Sequence, residues 1–344
     1  LFSVCGDATG HGVTSGMMVS VTKAGLNGIN PVKPNTILQR LNNVVLSEEL
    51  SQISRLFIYA AMAIYTFAFL ADALNLARTA SENKDVRSRA GISERAGLVF
   101  LIFATVLLAI GVVLRAISVA RVPWGNMYEY AITGSLVIAV IYLGARIFVK
   151  EIRFAAVLIS SFALLTLGVA TTVFYVEVAS LMPALQSYWL IIHVSVAVLA
   201  TSFFYIAAAL AIAYLLKTAG WLQKSKLSFV KGLKRLFSSF PADNKLERLS
   251  YRFNIIGFIL WTFTLIAGAI WAERAWHRYW GWDTKEVWTF IIWTLYAGYL
   301  HANATRGWSG KRSAWLSLVG FGAVIFNFVV VNLYFKGLHV YSGL

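Results

Sequence analysis

The chain has 344 residues, 59% hydrophobic and 13% charged, which excludes an ordinary soluble globular domain, where about 25% of residues are charged. Its net charge of +15 would suit a nucleic-acid binder, but the cations sit in alternate loops between apolar blocks, which excludes that class. The single cysteine, Cys5, excludes a disulfide framework or a cysteine-built metal site, so thiol chemistry would need thiols from a partner.

Residues 1–45 differ from the rest. LFSVCGDATGHGVTSGMM reads as a short strand, a Gly-rich turn and a small-residue helix. GDATGHG resembles the Asp-x-x-Gly-His-Gly signature of PPM-type, SpoIIE-like serine phosphatases. That resemblance implies a divalent-metal role for Asp7 with Thr9 or Gly10, through hard oxygen ligands. It covers about 45 residues, and the family's other metal carboxylates are absent. The segment is therefore expected to be a non-functional phosphatase-like remnant.

From residue 50 onward the apolar blocks predict an all-α, polytopic membrane protein. Eight transmembrane helices are expected, near 53–77, 97–117, 128–149, 154–175, 188–216, 252–272, 286–304 and 313–335, each close to the roughly 20 residues a bilayer core requires. No cleavable signal peptide is expected, since the first apolar block follows some fifty more polar residues. Lys and Arg number five in 78–95, three in 146–153, nine in 217–252 and three in 305–312, against one, none, three and one in 118–127, 175–188, 273–286 and 336–344. This positive-inside bias places the first set of loops in the cytoplasm. Both ends of the bundle and the loop after the sixth helix are then outside. The basic 217–252 loop reads as a solvated or lipid-facing segment.

Five histidines exist. His11 lies in the remnant and His277 in the sixth loop. His193, His301 and His339 sit in or beside membrane helices, where an ionisable side chain is a functional hypothesis by default; a single buried histidine can instead be satisfied by a neighbouring hydroxyl or carbonyl. His193 lies about 8 Å into the fifth helix from Tyr188, and His301 roughly 22 Å down the seventh from Glu286. His339 follows the eighth helix by a few residues. Two histidines are thus at the outer level and one in the inner half.

The loop between helices six and seven, WAERAWHRYWGWDTKEVW at 271–288, carries five tryptophans. Half of the chain's twelve, Trp271, Trp276, Trp280, Trp282, Trp288 and Trp293, fall within 23 residues. An interfacial belt would spread them over many helix ends. Two outer imidazoles beneath an aromatic roof suit haem, whose iron takes imidazole ligands and whose broad plane suits indole rings. Arg274, Arg278 and Lys285 are candidate partners for its propionates, and His277 is a rival ligand.

This loop, followed by TFIIWTLYAGYLHAN, resembles the WWD motif of the CcsA/ResC (CcsB) family of cytochrome c biogenesis proteins of System II. RVPWGNMYEY at 121–130, LMPALQSYWLIIHVS at 181–195 and FNFVVVNLYFKGLHVYSG at 326–343 resemble further blocks of that family, over about residues 50–344. The resemblance implies haem b as substrate or cofactor, His193 and His339 as external ligands, and His301 as the ligand of an inner site. Trp276, Trp280, Trp282 and Asp283 then form the WWD core. It also implies a ResB-type membrane partner and apocytochrome c as partners. The setting would be a plasma or thylakoid membrane. His277 stands where a glycine is expected, and Thr284 where a proline is common. His301 has no histidine mate in the inner half, so bis-histidine ligation there requires another chain. The expected activity is haem presentation for covalent attachment to a CxxCH motif within a holocytochrome c synthase. The alternatives are a haem exporter or chaperone that makes no covalent bond, or a transporter of another aromatic or anionic solute.

Overall fold

A computed structural model describes residues 34–178, 187–220, 228–305, 307–335 and 337–338. The phosphatase-like motif at 6–12 lies outside them. Among the described residues all regular structure is helical. The eight long helices are α1 (Pro34–Thr79), α2 (Ala90–Ser118), α3 (Met127–Phe148), α4 (Ala156–Thr172), α5 (Tyr188–Lys217), α6 (Asp243–Trp276), α7 (Thr284–Thr305) and α8 (Lys311–Phe326). The helix α1 runs without a break across residues 45–50, where the remnant was expected to give way to the membrane domain.

Among the described residues seven helices, not the expected eight, are long and apolar enough to cross a membrane. The other long helix, α7, has 22 residues, about 33 Å at 1.5 Å per residue, and is less apolar because it carries Lys285, Glu286, His301 and Asn303. Many large apolar side chains face outward, among them Phe148 and Leu165, respectively 85% and 71% exposed. A membrane solvates that surface.

Helix α5 is the central post: 72% of its apolar window is buried, against 28–44% for the other six. On one side, α1 packs along α2, closely enough that the Ser54 hydroxyl donates to the Gly111 carbonyl at 2.7 Å. Small residues permit such backbone approach in membranes. Ile58, Tyr65, Leu101, Leu108, Tyr128 and Tyr142 fill this half. On the other side, α5 meets α6 at Gly257, where a Cβ would lie 2.7 Å from the Phe204 ring. There Phe204 stacks on Tyr296 at 3.7 Å, centroid to centroid, within a core that includes Trp261, Ile292 and Tyr299.

The loop from α2 to α3 is held by a buried ion-pair network. The Glu129 carboxylate, fully buried, accepts from Arg115 Nε (3.1 Å) and Nη2 (3.0 Å), from Arg121 Nη1 (2.6 Å) and from the Gly125 N–H (2.8 Å). Arg115 also donates to Ser51 Oγ and to the Val176 carbonyl. Asn126 caps α3 through the Glu129 N–H. The consequence is a fixed position for Trp124 and Asn126, which face the cavity described next.

Candidate functional site

At the tryptophan-loop end a cavity of about 170 Å³ opens between α3, α5, α6, the start of α7 and the end of α8. Its wall includes Trp124 and Tyr130, His193, Gly268 and Trp271, Tyr279 and Trp280, Lys285 and Glu286, and Asn327 and Phe328.

His193 is held from three directions. Its Nδ1 lies 2.9 Å from the Thr264 carbonyl. A carbonyl only accepts, so Nδ1 carries a proton; in the neutral form of the ring the lone pair then lies on Nε2, the arrangement that second-partner hydrogen bonds impose on metal-ligating imidazoles. The ring stacks on Trp271 at 5.9 Å and 20°. It also lies against Gly268, where a Cβ would come within 2.8 Å of Cε1. Any larger residue at 268 would displace the imidazole.

The loop itself is built around two carboxylates. Helix α6 ends at His277, which adopts a left-handed conformation, φ 56°. This is a position that glycine fills most readily, which accounts for the glycine expected there. The His277 side chain is exposed and does not line the cavity. Trp282 also has positive φ, 59°, a conformation costly for a bulky residue and concentrated at functional sites. Helix α7 then starts with Asp-Thr-Lys-Glu. Asp283 Oδ1 accepts the Lys285 N–H at 2.9 Å, and Glu286 Oε2 reaches back to the Asp283 N–H (3.1 Å) and the Gly281 N–H (2.7 Å). This is a capping box.

The expected site residues separate into groups. Trp280 borders the cavity, edge-on to Trp282 and Phe290. Trp276 packs behind it against Trp271, at 5.0 Å. Trp282 is 79% exposed. Arg278 lies over Gly281, in the space a Cβ would take. Arg274 is 68% exposed beside Glu273 and stands away from the cavity, whereas Lys285 lines it and donates to the Asn327 carbonyl (2.9 Å) and Asn332 Oδ1 (2.8 Å). His301 is exposed near the opposite end of α7, and its ring makes no hydrogen bond, ion pair or ring contact among the described residues. His339 lies outside the described residues, but the N–H of Leu338 donates to Asp283 Oδ2 at 2.8 Å.

Several participants were not foreseen. Glu286 Oε1, Asn327 Oδ1 and Trp124 Nε1 are buried polar atoms of the cavity wall with no hydrogen-bond partner among the described residues. Buried polar groups are normally satisfied, so these three fit an occupant with hydrogen-bonding groups of its own. Asn327 opens a five-residue π turn, Asn327–Val331, a distortion found mostly at functional sites. The Asp-x-x-Glu spacing signals the cap; nothing local signals the π turn.

A family model described as cytochrome C assembly protein matches residues 124–339, and so spans the whole cavity wall. The cytochrome c biogenesis protein CcsA of Prochlorococcus marinus is 36% identical over 260 residues, covering 70% of this chain and 81% of that protein. The chain belongs to the CcsA family. The CcsA proteins of Guillardia theta and Trichodesmium erythraeum are 35% and 32% identical, with 80% and 83% of their lengths covered. Among solved structures, cytochrome c haem lyase CcmF is similar over 81% of this chain, with a TM-score of 0.56 and 17% identity. That shows a shared fold with this CcsA-family chain, which spans 46% of the CcmF chain.

Proposed function

We propose that this CcsA-family protein is the haem-handling and haem-translocating subunit of a System II cytochrome c synthase, with haem b as its substrate. The observation that carries the reading is His193: an imidazole with Nδ1 tied to a carbonyl, seated on a glycine, in an aromatic cavity under the tryptophan loop. His193 and His339 are the axial ligands of the external site. Trp280 and Trp271 supply apolar ring contact, and Trp276 and Trp282 buttress the loop. Of the cations near the loop, Lys285 lines the cavity and is best placed to face the propionates, with Arg278, over Gly281, and Arg274 outside its wall.

The alternating charge pattern supports an external position for the loop. His301, exposed on α7, is suited to share an inner haem with a histidine of a ResB-type partner. At the outer site the protein's task is to bind and orient. The two S–H groups of a CxxCH motif add across the two vinyl groups of haem, giving two thioethers, and the motif's histidine replaces one protein imidazole.

The test is reconstitution with a ResB-type partner, ferrous haem b and a CxxCH peptide. Haem that stays on the peptide through acid extraction supports the synthase. Haem transferred but fully extractable would instead identify an exporter or chaperone.

A further inference from the structure

The loop's aspartate does something that a haem contact would not require. Asp283 splits its carboxylate between two distant parts of the chain: Oδ1 closes the cap of α7 on the Lys285 N–H, and Oδ2 takes the N–H of Leu338, 55 positions away. The backbone approaches so closely that a Cβ on Gly337 would overlap Oδ2. A second tie runs parallel. Lys285 Nζ donates to the Asn327 carbonyl and to Asn332 Oδ1, and Asn332 in turn donates to the Phe328 carbonyl at 2.7 Å. Glu286 holds the Asp283 and Gly281 N–H groups from below. The start of α7 therefore grips the chain beyond α8 at two points.

We infer that Asp283, backed by Lys285, is a positioning residue for axial ligation: it registers the backbone just ahead of His339 against the tryptophan loop. This rests on the reading of His193 and His339 as the outer haem ligands. Consecutive Cα atoms are about 3.8 Å apart, so an anchor on the Leu338 amide restricts where the next residue can begin. Metal–imidazole bonds near 2 Å tolerate little misregister. Direct contact with a propionate is the poorer role for Asp283, because two carboxylates repel. The sequence neighbours of the motif acquire a reason: aspartate supplies two acceptor oxygens for two N–H donors, and Gly337 leaves room for one of them.

The test uses the full chain with Asp283→Ala, Asp283→Asn, Gly337→Ala and the double variant Asp283→Ala/Gly337→Ala. Two quantities are read: amide hydrogen exchange of the peptide spanning 333–344 without haem, and the ferric low-spin spectrum with haem b. Asp283→Ala should speed exchange and weaken haem retention about 10- to 100-fold, the usual cost of losing a supporting contact at a metal site, with free imidazole restoring the low-spin spectrum. Asparagine has one acceptor oxygen, so Asp283→Asn should keep one tie and fall between. Gly337→Ala should be damaging alone and add little to Asp283→Ala, the non-additivity of two residues in contact. Unchanged exchange in Asp283→Ala and Gly337→Ala would overturn the inference, as would haem loss that imidazole does not restore. If the wild type shows no bis-imidazole spectrum, the haem reading fails, and the exchange data still decide the anchor. Should Asp283→Ala not fold, Asp283→Asn and Gly337→Ala carry the same comparison.

Discussion

The two ends of the bundle differ in how far they bury and fix their polar side chains. At the tryptophan-loop end they are buried and fixed: His193 on Thr264 and Gly268, Glu129 among Arg115, Arg121 and Gly125, Glu286 under the loop. At the other end Arg146 is buried against Glu94 and Asp72 is buried too, but the remaining ion pairs each leave at least one partner exposed. Lys245 and Glu151 are 51% and 37% exposed, Arg235 and Glu82 46% and 75%, pairs worth at most about 1 kcal/mol each. His301 shares that exposure. The difference teaches that one end is preorganised within this chain, whereas the other leaves a histidine on the surface, where a second chain could reach it.

The sharpest way to break this contrast is through stability. Glu129→Gln keeps one acceptor oxygen but removes the negative charge facing two arginines, and should destabilise the protein by about 3–5 kcal/mol, the cost of orphaning buried charge; Lys245→Ala should cost less than about 1 kcal/mol. Denaturant unfolding in detergent reads both, and equal losses would erase the distinction between the ends. Next in size is Gly268→Ala. Its methyl displaces the His193 ring and should weaken outer haem binding about 10- to 100-fold, measured by haem titration. Affinity equal to wild type would mean that the glycine seat is unimportant. Trp280→Ala should lower haem retention about 2- to 10-fold, from aromatic contacts worth roughly 0.5–1.5 kcal/mol, whereas Trp315→Ala, on an indole 61% exposed on α8, should not. Similar losses for both would favour an interfacial belt. Smallest is His301→Ala, which should change stability by under about 0.5 kcal/mol and leave the isolated chain's haem spectrum intact, while lowering transfer with a ResB-type partner present.

How far this was legible in the sequence depends on the range of the interaction. Hydropathy locates lipid, so all eight long helices could be anticipated, although seven rather than the expected eight are apolar enough to cross a membrane among the described residues; it does not say where a helix stops. Helix α6 begins at Asp243, ahead of the expected 252, because DNKLERLSYR continues the helix with Leu246 and Ser250 turned inward. Depth along α5 singles out His193, but its seat on Thr264 and Gly268 joins residues some seventy positions apart. Arg274 and Lys285 look equivalent in the loop. The last turn of α6 exposes one, and the first turn of α7 buries the other among Asn327 and Asn332. The Asp-Thr-Lys-Glu cap can be read locally, whereas the tie from Asp283 to Leu338 cannot, since no short pattern encodes a contact across 55 positions.

The central claim is that His193 is an axial ligand to haem. Its most direct test is the ferric electron paramagnetic resonance spectrum of the purified, haem-loaded chain carrying His193→Gly. The account predicts a low-spin bis-imidazole signal in the wild type, a high-spin signal in the variant, and return of the low-spin signal with added imidazole. A variant whose low-spin signal matches the wild type would contradict it.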